Sequence, residues 1–173
     1  MTNTNIEWGP SYDDGRESPK RLSLLKKDLG RVKRGTLLDL GANAGFFSYG
    51  LAESGFEVIA VEPPNGKVFD DRVREHRQWV QSPEDLPEGR WDFAIVLSVL
   101  HHIPGWNDVL NEVIDRTNRR LYVEVPHPEE RHHKWHGSLE QYEHLSNMEN
   151  ARVIGEHYEV SRRFRRPLFR VDV

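Results

Sequence analysis

The chain has 173 residues, of which 36% are hydrophobic and 30% charged, and this length suits a single domain. The formal net charge of −4 excludes the overall positive field that is typical of nucleic-acid-binding proteins. Because there is no cysteine, disulfides and cysteine-ligated zinc or iron–sulfur sites are excluded. The stretch 1–19 is polar and has no apolar core, so we do not expect a signal peptide. No apolar run approaches the length of about 18 residues that a membrane span requires. We therefore expect a cytoplasmic protein without a membrane partner.

Residues 1–35 are predicted to form an N-terminal arm followed by a helix. The arm is polar and contains Trp8 and Tyr12. Ser18, which a proline follows, is typical of a helix N-cap with proline at the first helical position. Leucines at helical spacing come next, and the helix is predicted to end at Gly30.

Residues 36–173 are predicted to form one further unit, in which short apolar strands alternate with helices. The predicted strands are 36–40, 57–61, 77–80, 93–97 and 121–125. The predicted helices are 45–54, 67–76 and 106–116. This alternation favours a doubly wound, parallel sheet, and the apolar run 94–97 is typical of a strand that is buried on both faces.

The C-terminal part of the chain has a different pattern. A helix is predicted at 138–148, and two strands at 153–160 and 168–173 lie close enough in sequence to form an antiparallel hairpin or a pair of edge strands. The basic run 162–166 is predicted to lie between these strands. It either meets an anionic group or guards the sheet edge against pairing, and it is weak evidence for RNA binding.

A glycine-containing turn follows the first predicted strand, where 37–47 reads Leu-Leu-Asp-Leu-Gly-Ala-Asn-Ala-Gly-Phe-Phe. Gly41 and Gly45 allow a sharp turn and a close approach of the backbone to a ligand. Asn43 is the type of residue that, after glycine, best tolerates the left-handed backbone conformation. The start of the next helix points N–H groups at that ligand. The dinucleotide fingerprint fails because its third and sixth positions are Asn43 and Phe46, and the P-loop pattern fails as well.

The turn resembles motif I of the class I S-adenosylmethionine-dependent methyltransferases. The resemblance implies an α/β fold, namely a Rossmann-like, doubly wound and mostly parallel sheet with an antiparallel C-terminal hairpin. It implies that 36–173 form one domain that binds S-adenosylmethionine, and that Asp39 and the glycine turn hold the methionine end of this cofactor. Glu62 ends the second predicted strand, where the family's acid accepts hydrogen bonds from both ribose hydroxyls. A solvent-exposed acid at a strand end is the alternative for Glu62.

A further segment, 81–87, resembles the part of the family that contacts adenine. Relatives often carry an acid where this chain has Ser82, so Glu84 or backbone groups are alternatives, as is a plain surface turn. The complete set of cofactor-binding residues expected from the resemblance is Asp39, Gly41, Ala42, Asn43, Gly45, Phe46, Glu62, Pro63, Ser82, Pro83, Glu84 and Ser98.

Two histidines, His101 and His102, follow the predicted strand 93–97. Methyl transfer from a sulfonium is an in-line displacement in which the enzyme mainly positions the acceptor, so a base helps only an acceptor that must lose a proton. The resemblance places both histidines beside the transferred methyl group. Plant small-molecule O-methyltransferases carry a Leu-His element here, and their catalytic base corresponds to His101. The alternative is that both histidines only shape the loop or touch the cofactor.

The acceptor is less well defined by the sequence. Residues 97–100 do not match the Asp/Asn/Ser-Pro-Pro-aromatic element of the enzymes that methylate DNA amines, and methylation of pyrimidine C5 needs the missing cysteine. We expect an oxygen or nitrogen of a small molecule. A nucleic acid or a protein is the second hypothesis, and a non-catalytic cofactor-binding module is the third.

The histidine-rich segment 124–136 is expected to cover the acceptor. A metal site there, with Glu129 or Glu130 as a ligand, is not favoured because no His-Glu-x-x-His spacing occurs, and a solvated loop is the simpler alternative. A homodimer would supply the substrate-covering wall that so short a chain lacks. The candidate substrate contacts are Trp8, Tyr12, His132, Trp135 and His136.

Overall fold

The computed structural model describes residues 17–32, 34–66, 69–130, 136–159 and 162–173. Within these ranges the α-helices are α1 (Ser18–Leu29), α2 (Phe46–Ala52), α3 (Trp106–Arg116) and α4 (Ser138–Asn147). The strands are β1 (Thr36–Leu40), β2 (Glu57–Glu62), β3 (Arg74–Arg77), β4 (Trp91–Leu97), β5 (Thr117–Glu124), β6 (Ala151–Tyr158) and β7 (Arg165–Asp172). In the described part of the chain, no helix combines the length and the apolar character that crossing a membrane requires.

The strands form one sheet in the order β3-β2-β1-β4-β5-β7-β6. The pairs from β3 to β5 are parallel, whereas β7 pairs antiparallel with both β5 and β6. The predicted mostly parallel sheet with an antiparallel C-terminal hairpin is therefore confirmed. The strand order reverses direction between β1 and β4, and ligands of open α/β sheets bind outside the carboxyl ends of the strands at such a point.

Two buried apolar layers cover the two faces of the sheet. Successive strand residues point to opposite faces, so Leu37 and Leu38 of β1 belong to different layers. Leu38 shares its layer with Leu110 of α3, while Leu37 shares the other with Leu25 of α1. Because both faces of the central strands are covered, these strands are mostly apolar in sequence.

The predicted helix at 67–76 is wrong, because the described residues after the second strand are irregular and then enter β3. Side chains accept hydrogen bonds from two backbone N–H groups of this segment. The Phe69 N–H donates to the carboxylate of Glu75, and the Asp70 N–H donates to the Tyr49 hydroxyl at 2.9 Å. The third strand therefore begins earlier in the chain than predicted.

The predicted N-cap is also wrong by one residue. Glu17 precedes the helix in the left-handed conformation, with φ 49°, and Ser18 is the first helical residue. The Ser18 hydroxyl accepts a hydrogen bond from Arg21 Nη2 at 2.8 Å. Ser18 thus belongs to a buried polar group beneath α1.

Candidate functional site

The turn after β1 adopts the conformation expected from its glycines. Gly41 and Gly45 have φ 81° and 80°, and Asn43 has φ 52°, so all three lie in the left-handed region. A Cβ atom on Gly41 would lie 2.8 Å from the Cβ of Val99, a distance that real Cβ atoms essentially never show. The turn is therefore packed directly against the chain that leaves β4.

Glu62 lies beside this turn at the end of β2. Its Oε2 accepts a hydrogen bond from the Asn43 N–H at 2.8 Å, which joins the ends of two adjacent strands. Burial raises the pKa of Glu62 above its ordinary value, while the Asn43 N–H and the charge of Arg77 act in the opposite direction. The carboxylate is half-buried and is thus placed to accept further hydrogen bonds from a ligand at the turn.

Asp39 is a buried carboxyl group in β1. It is 2% exposed and accepts a hydrogen bond from the Ser48 hydroxyl of α2 at 2.5 Å. Burial raises the pKa of Asp39 to about 7, and the charge of Glu62 adds to this effect, whereas the Ser48 hydrogen bond opposes it. A ligand cation near Asp39 would favour its ionised form.

A small pocket of about 80 Å³, open to solvent, lies at the carboxyl ends of β1 and β2. Residues that take part in its wall are Gly41, Pro63, Trp79, Gln81, Val99 and His102. Trp79, which is 55% exposed, was not predicted as a site residue. The only signal for Trp79 in the sequence is that it is an aromatic residue within a polar stretch.

The predicted adenine-contacting residues lie just beyond this pocket. Ser82 caps a short 3-10 turn, Pro83–Asp85, and both its N–H and its hydroxyl donate to Asp85 Oδ2, at 3.1 and 3.2 Å. Glu84 is exposed. Because the third strand ends early, the residues at 78–81 form this wall of the pocket instead.

The two histidines have different surroundings. They lie in a 3-10 turn, Leu100–His102, whose three residues per turn point adjacent side chains in different directions. His102 is exposed and lines the pocket, whereas His101 is 2% exposed, with the two ring centroids 4.2 Å apart. The His136 N–H donates to the His101 carbonyl at 2.9 Å, so the predicted substrate residue His136 lies beside the histidine turn. The other predicted substrate contacts, Trp8, Tyr12, His132 and Trp135, lie outside the described residues.

Only residues 162–164 of the basic run lie between the last two strands, because Arg165 and Arg166 belong to β7. Arg166 is buried and donates to both carboxylate oxygens of Glu130, at 2.8 and 2.6 Å. Since the edge strand is β6, Arg166 does not guard the sheet edge.

Comparison with known proteins agrees with this geometry. A sequence model described as a methyltransferase domain matches residues 15–159. The chain belongs to this family. The predicted class I S-adenosylmethionine-dependent methyltransferase is thereby confirmed, and S-adenosylmethionine is its cofactor. Among curated proteins, no sequence matches the chain.

Solved structures show the same fold in other methyltransferases. The bifunctional kinase-methyltransferase WbdD is 26% identical with a TM-score of 0.68, over 96% of this chain and 42% of that chain. Magnesium protoporphyrin IX methyltransferase from Synechocystis PCC 6803, with bound S-adenosylmethionine, is 17% identical with a TM-score of 0.65, over 90% and 77%. The N-terminal domain of EvdMO1, with S-adenosylhomocysteine and D-fucose, is 14% identical with a TM-score of 0.64, over 92% and 84%. The chain thus spans about two fifths of the length of WbdD.

The described residues fit S-adenosylmethionine. The cofactor carries an α-ammonium and an α-carboxylate at its methionine end, a positively charged sulfonium, a ribose with two hydroxyls, and a flat adenine. The site provides the buried carboxyl of Asp39, the half-buried carboxylate of Glu62, and a pocket with apolar walls. The left-handed glycine turn lies between them and allows close approach of the backbone.

Gly66 supports the position of Glu62 and offers a test of it. A Cβ atom on Gly66 would lie 2.5 Å from Glu62 Cγ and 3.1 Å from its Oε1. We expect Gly66→Ala to displace the Glu62 side chain and to weaken S-adenosylhomocysteine binding roughly tenfold in calorimetry, a loss of about 1.4 kcal/mol. Gly155→Ala, which crowds Leu24 away from the site, is the matched control and should bind normally. Equal affinities in both variants would contradict this role of Gly66.

Proposed function

We propose that the chain transfers the methyl group of S-adenosylmethionine to an oxygen or nitrogen atom of a small molecule. In this proposal Asp39 faces the methionine end of the cofactor, Glu62 accepts the ribose hydroxyls, and adenine lies in the pocket beside Trp79. The bound cofactor supplies an already activated methyl group. The residues around the cofactor therefore have to orient the acceptor atom towards the methyl group and prevent other orientations of the acceptor.

The observation that carries the proposal is the position of His102. Its side chain lines the same pocket as the Gly41 turn, at the carboxyl end of β4. Imidazole titrates near neutral pH, so a ring at this place can accept the proton of a hydroxyl acceptor. His101 is buried, which favours a role in shaping the turn.

A small acceptor is favoured over a nucleic acid by the state of the basic run 162–166. Arg166 is buried against Glu130, and Arg165 donates to the Tyr158 hydroxyl at 3.1 Å. Affinity for nucleic acid rests on several cations that face phosphates at the same time. With a formal net charge of −4 and Arg166 buried, only Arg162, Arg163 and Arg165 of the run are exposed, which gives little support to such a surface.

The test is methyl transfer from labelled S-adenosylmethionine to hydroxyl- and amine-bearing small molecules. We expect His102→Ala to lower kcat for a hydroxyl acceptor by about 10²–10⁴-fold, because a positioned base contributes that much, with little change in cofactor affinity. The control is His144→Ala, since the ring of His144, which belongs to α4, packs on Trp106 of α3 and does not line the pocket.

Other outcomes of this assay identify the competing functions. Transfer to RNA or to a protein without transfer to any small molecule supports the second hypothesis. Cofactor binding without transfer to any acceptor supports a non-catalytic module. Equal kcat values for His102→Ala and the wild type would remove His102 from proton transfer.

A further inference from the structure

A fully buried carboxylate, Glu124, ends β5 next to the turn that carries the histidines. Its Oε2 lies 2.7 Å from Arg21 Nη1 of α1 and 2.7 Å from His157 Nε2 of β6. Its Oε1 accepts a hydrogen bond from the Ser98 hydroxyl. Burial raises the pKa of Glu124, but Arg21, His157 and Ser98 outweigh burial and hold this pKa well below its ordinary value. Glu124 is therefore an ionised group that joins three separate parts of the fold.

The His157 ring is held on both sides. Its Nδ1 lies 3.0 Å from the Tyr158 carbonyl oxygen, which only accepts hydrogen bonds, and its Nε2 faces the Glu124 carboxylate, which also only accepts. Arg21 forms a second contact with the same carboxylate, between opposite charges.

Ser98 has an unusual backbone conformation at this point. It directly follows β4 with φ 56°, in the left-handed region that costs free energy for any residue except glycine. Its N–H donates to the Glu124 carbonyl at 3.3 Å, and its hydroxyl donates to the Glu124 carboxylate. Arg166 Nη1 donates to the same hydroxyl at 3.1 Å. Main chain and side chain of Glu124 therefore hold Ser98 in the strained conformation.

The conformation of Ser98 sets the direction of the residues that line the pocket. Val99 follows it and packs on Gly41 so closely that no Cβ fits there. The His102 N–H then donates to the Val99 carbonyl at 2.9 Å, which closes the 3-10 turn. Both Val99 and His102 belong to the pocket wall, whereas Ser98 does not.

We infer that Glu124 is a positioning residue for methyl transfer: by holding Ser98 in the left-handed conformation, it fixes Val99 against the glycine turn and His102 in the pocket wall. The inference rests on the proposed function and extends it to a residue outside the pocket. Stability alone is a poor reason for this arrangement, since buried ion pairs contribute little net stability compared with apolar residues of similar size.

Ser98→Gly separates the effect of the backbone conformation from the effect of side-chain packing, because glycine adopts positive φ without strain. We compare Ser98→Ala, Ser98→Gly, Glu124→Gln and the double variant Glu124→Gln/Ser98→Gly. Two quantities are measured on the full chain: the dissociation constant of S-adenosylhomocysteine by calorimetry, and the NMR resonances of the His102 ring without cofactor. Ser98→Ala retains the strain and loses the hydroxyl, so it tests the inference even where Glu124→Gln fails to fold.

We expect Ser98→Ala to weaken S-adenosylhomocysteine binding roughly tenfold and to shift the His102 resonances, because only the bond from the backbone N–H of residue 98 to the Glu124 carbonyl then holds the left-handed conformation. Ser98→Gly is expected to stay within about threefold of the wild type. Glu124→Gln should resemble Ser98→Ala, and the double variant should recover towards Ser98→Gly. A purely structural role of Glu124 gives no such rescue.

Equal effects of Ser98→Ala and Ser98→Gly on the His102 resonances would overturn the inference, as would a folded Glu124→Gln variant that leaves these resonances in place. The resonances are read without cofactor or acceptor. A failure of methyl transfer would therefore overturn the proposed function and still leave this comparison decisive for Glu124.

Discussion

Glu62→Ala is expected to weaken binding of S-adenosylmethionine roughly 10²-fold, about 2.8 kcal/mol, as measured by calorimetry. The carboxylate would accept two ribose hydroxyls, and each hydrogen bond to a charged group contributes about 1.5–3 kcal/mol. The substitution also removes the acceptor of the Asn43 N–H, which loosens the glycine turn. S-adenosylhomocysteine should lose affinity by the same factor, because its ribose is identical.

Glu57→Ala provides the matched control for this substitution. Glu57 is an exposed carboxylate at the other end of the same strand, far from the glycine turn. It should bind the cofactor like the wild type. If Glu62→Ala kept the wild-type affinity, Glu62 would be a plain strand-end acid, and the ribose would need another acceptor.

Asp39→Asn is expected to stabilise the cofactor-free protein above neutral pH while weakening cofactor binding. The pKa of Asp39 is raised from 3.8 to about 7 by burial, so the folded state holds this proton more tightly than the unfolded state. The contribution of Asp39 to stability is therefore complete below pH 4 and is lost as the pH rises through about 7. Since one pKa unit corresponds to about 1.4 kcal/mol, the loss amounts to at most about 4 kcal/mol. Asparagine has no charge to desolvate and avoids this loss.

The measurement is urea unfolding of wild type and Asp39→Asn between pH 4 and pH 8 without cofactor. The difference in the free energy of unfolding should grow in favour of the variant up to about pH 7 and then level off. A difference that is independent of pH would show that Asp39 is ionised in the folded protein throughout.

Asp92→Asn is the control for the loss of cofactor binding. The Asp92 carboxylate accepts a hydrogen bond from the Thr36 N–H at the opposite end of the sheet, so this variant should keep the wild-type cofactor affinity.

The parts of the fold that follow from local sequence pattern were predicted well. β1, β4 and α3 coincide with or extend the apolar runs that mark them, because central strands buried on both faces carry mostly apolar residues. β3 lacks such a run, since Arg74–Arg77 is an outer strand of polar residues. Its position depends on pairing with β2 and on contacts such as the one between Phe69 and Glu75, which no periodicity reveals.

The candidate site likewise has parts that local sequence predicts and parts that depend on the tertiary structure. Trp79 enters the pocket wall because the third strand ends early, and His102 rather than His101 faces the pocket because of the 3-10 turn. Both outcomes depend on strand ends and turn geometry that composition does not encode. Ser98 was predicted as a cofactor contact, but its hydroxyl is directed to Glu124 and Arg166.

The sequence by itself determined the conformation of the glycine turn and the position of the acid beside it. Left-handed φ angles at Gly41, Asn43 and Gly45 are local properties of those residue types, and Glu62 follows from the end of an apolar strand. Only the tertiary structure decided how the turn with the histidines is held. The Arg21–Glu124 contact joins residues 103 positions apart, and such a pairing leaves no mark on the sequence around either residue. The sheet brings them together because β5 ends beside β4, where one buried carboxylate then meets α1, Ser98 and β6.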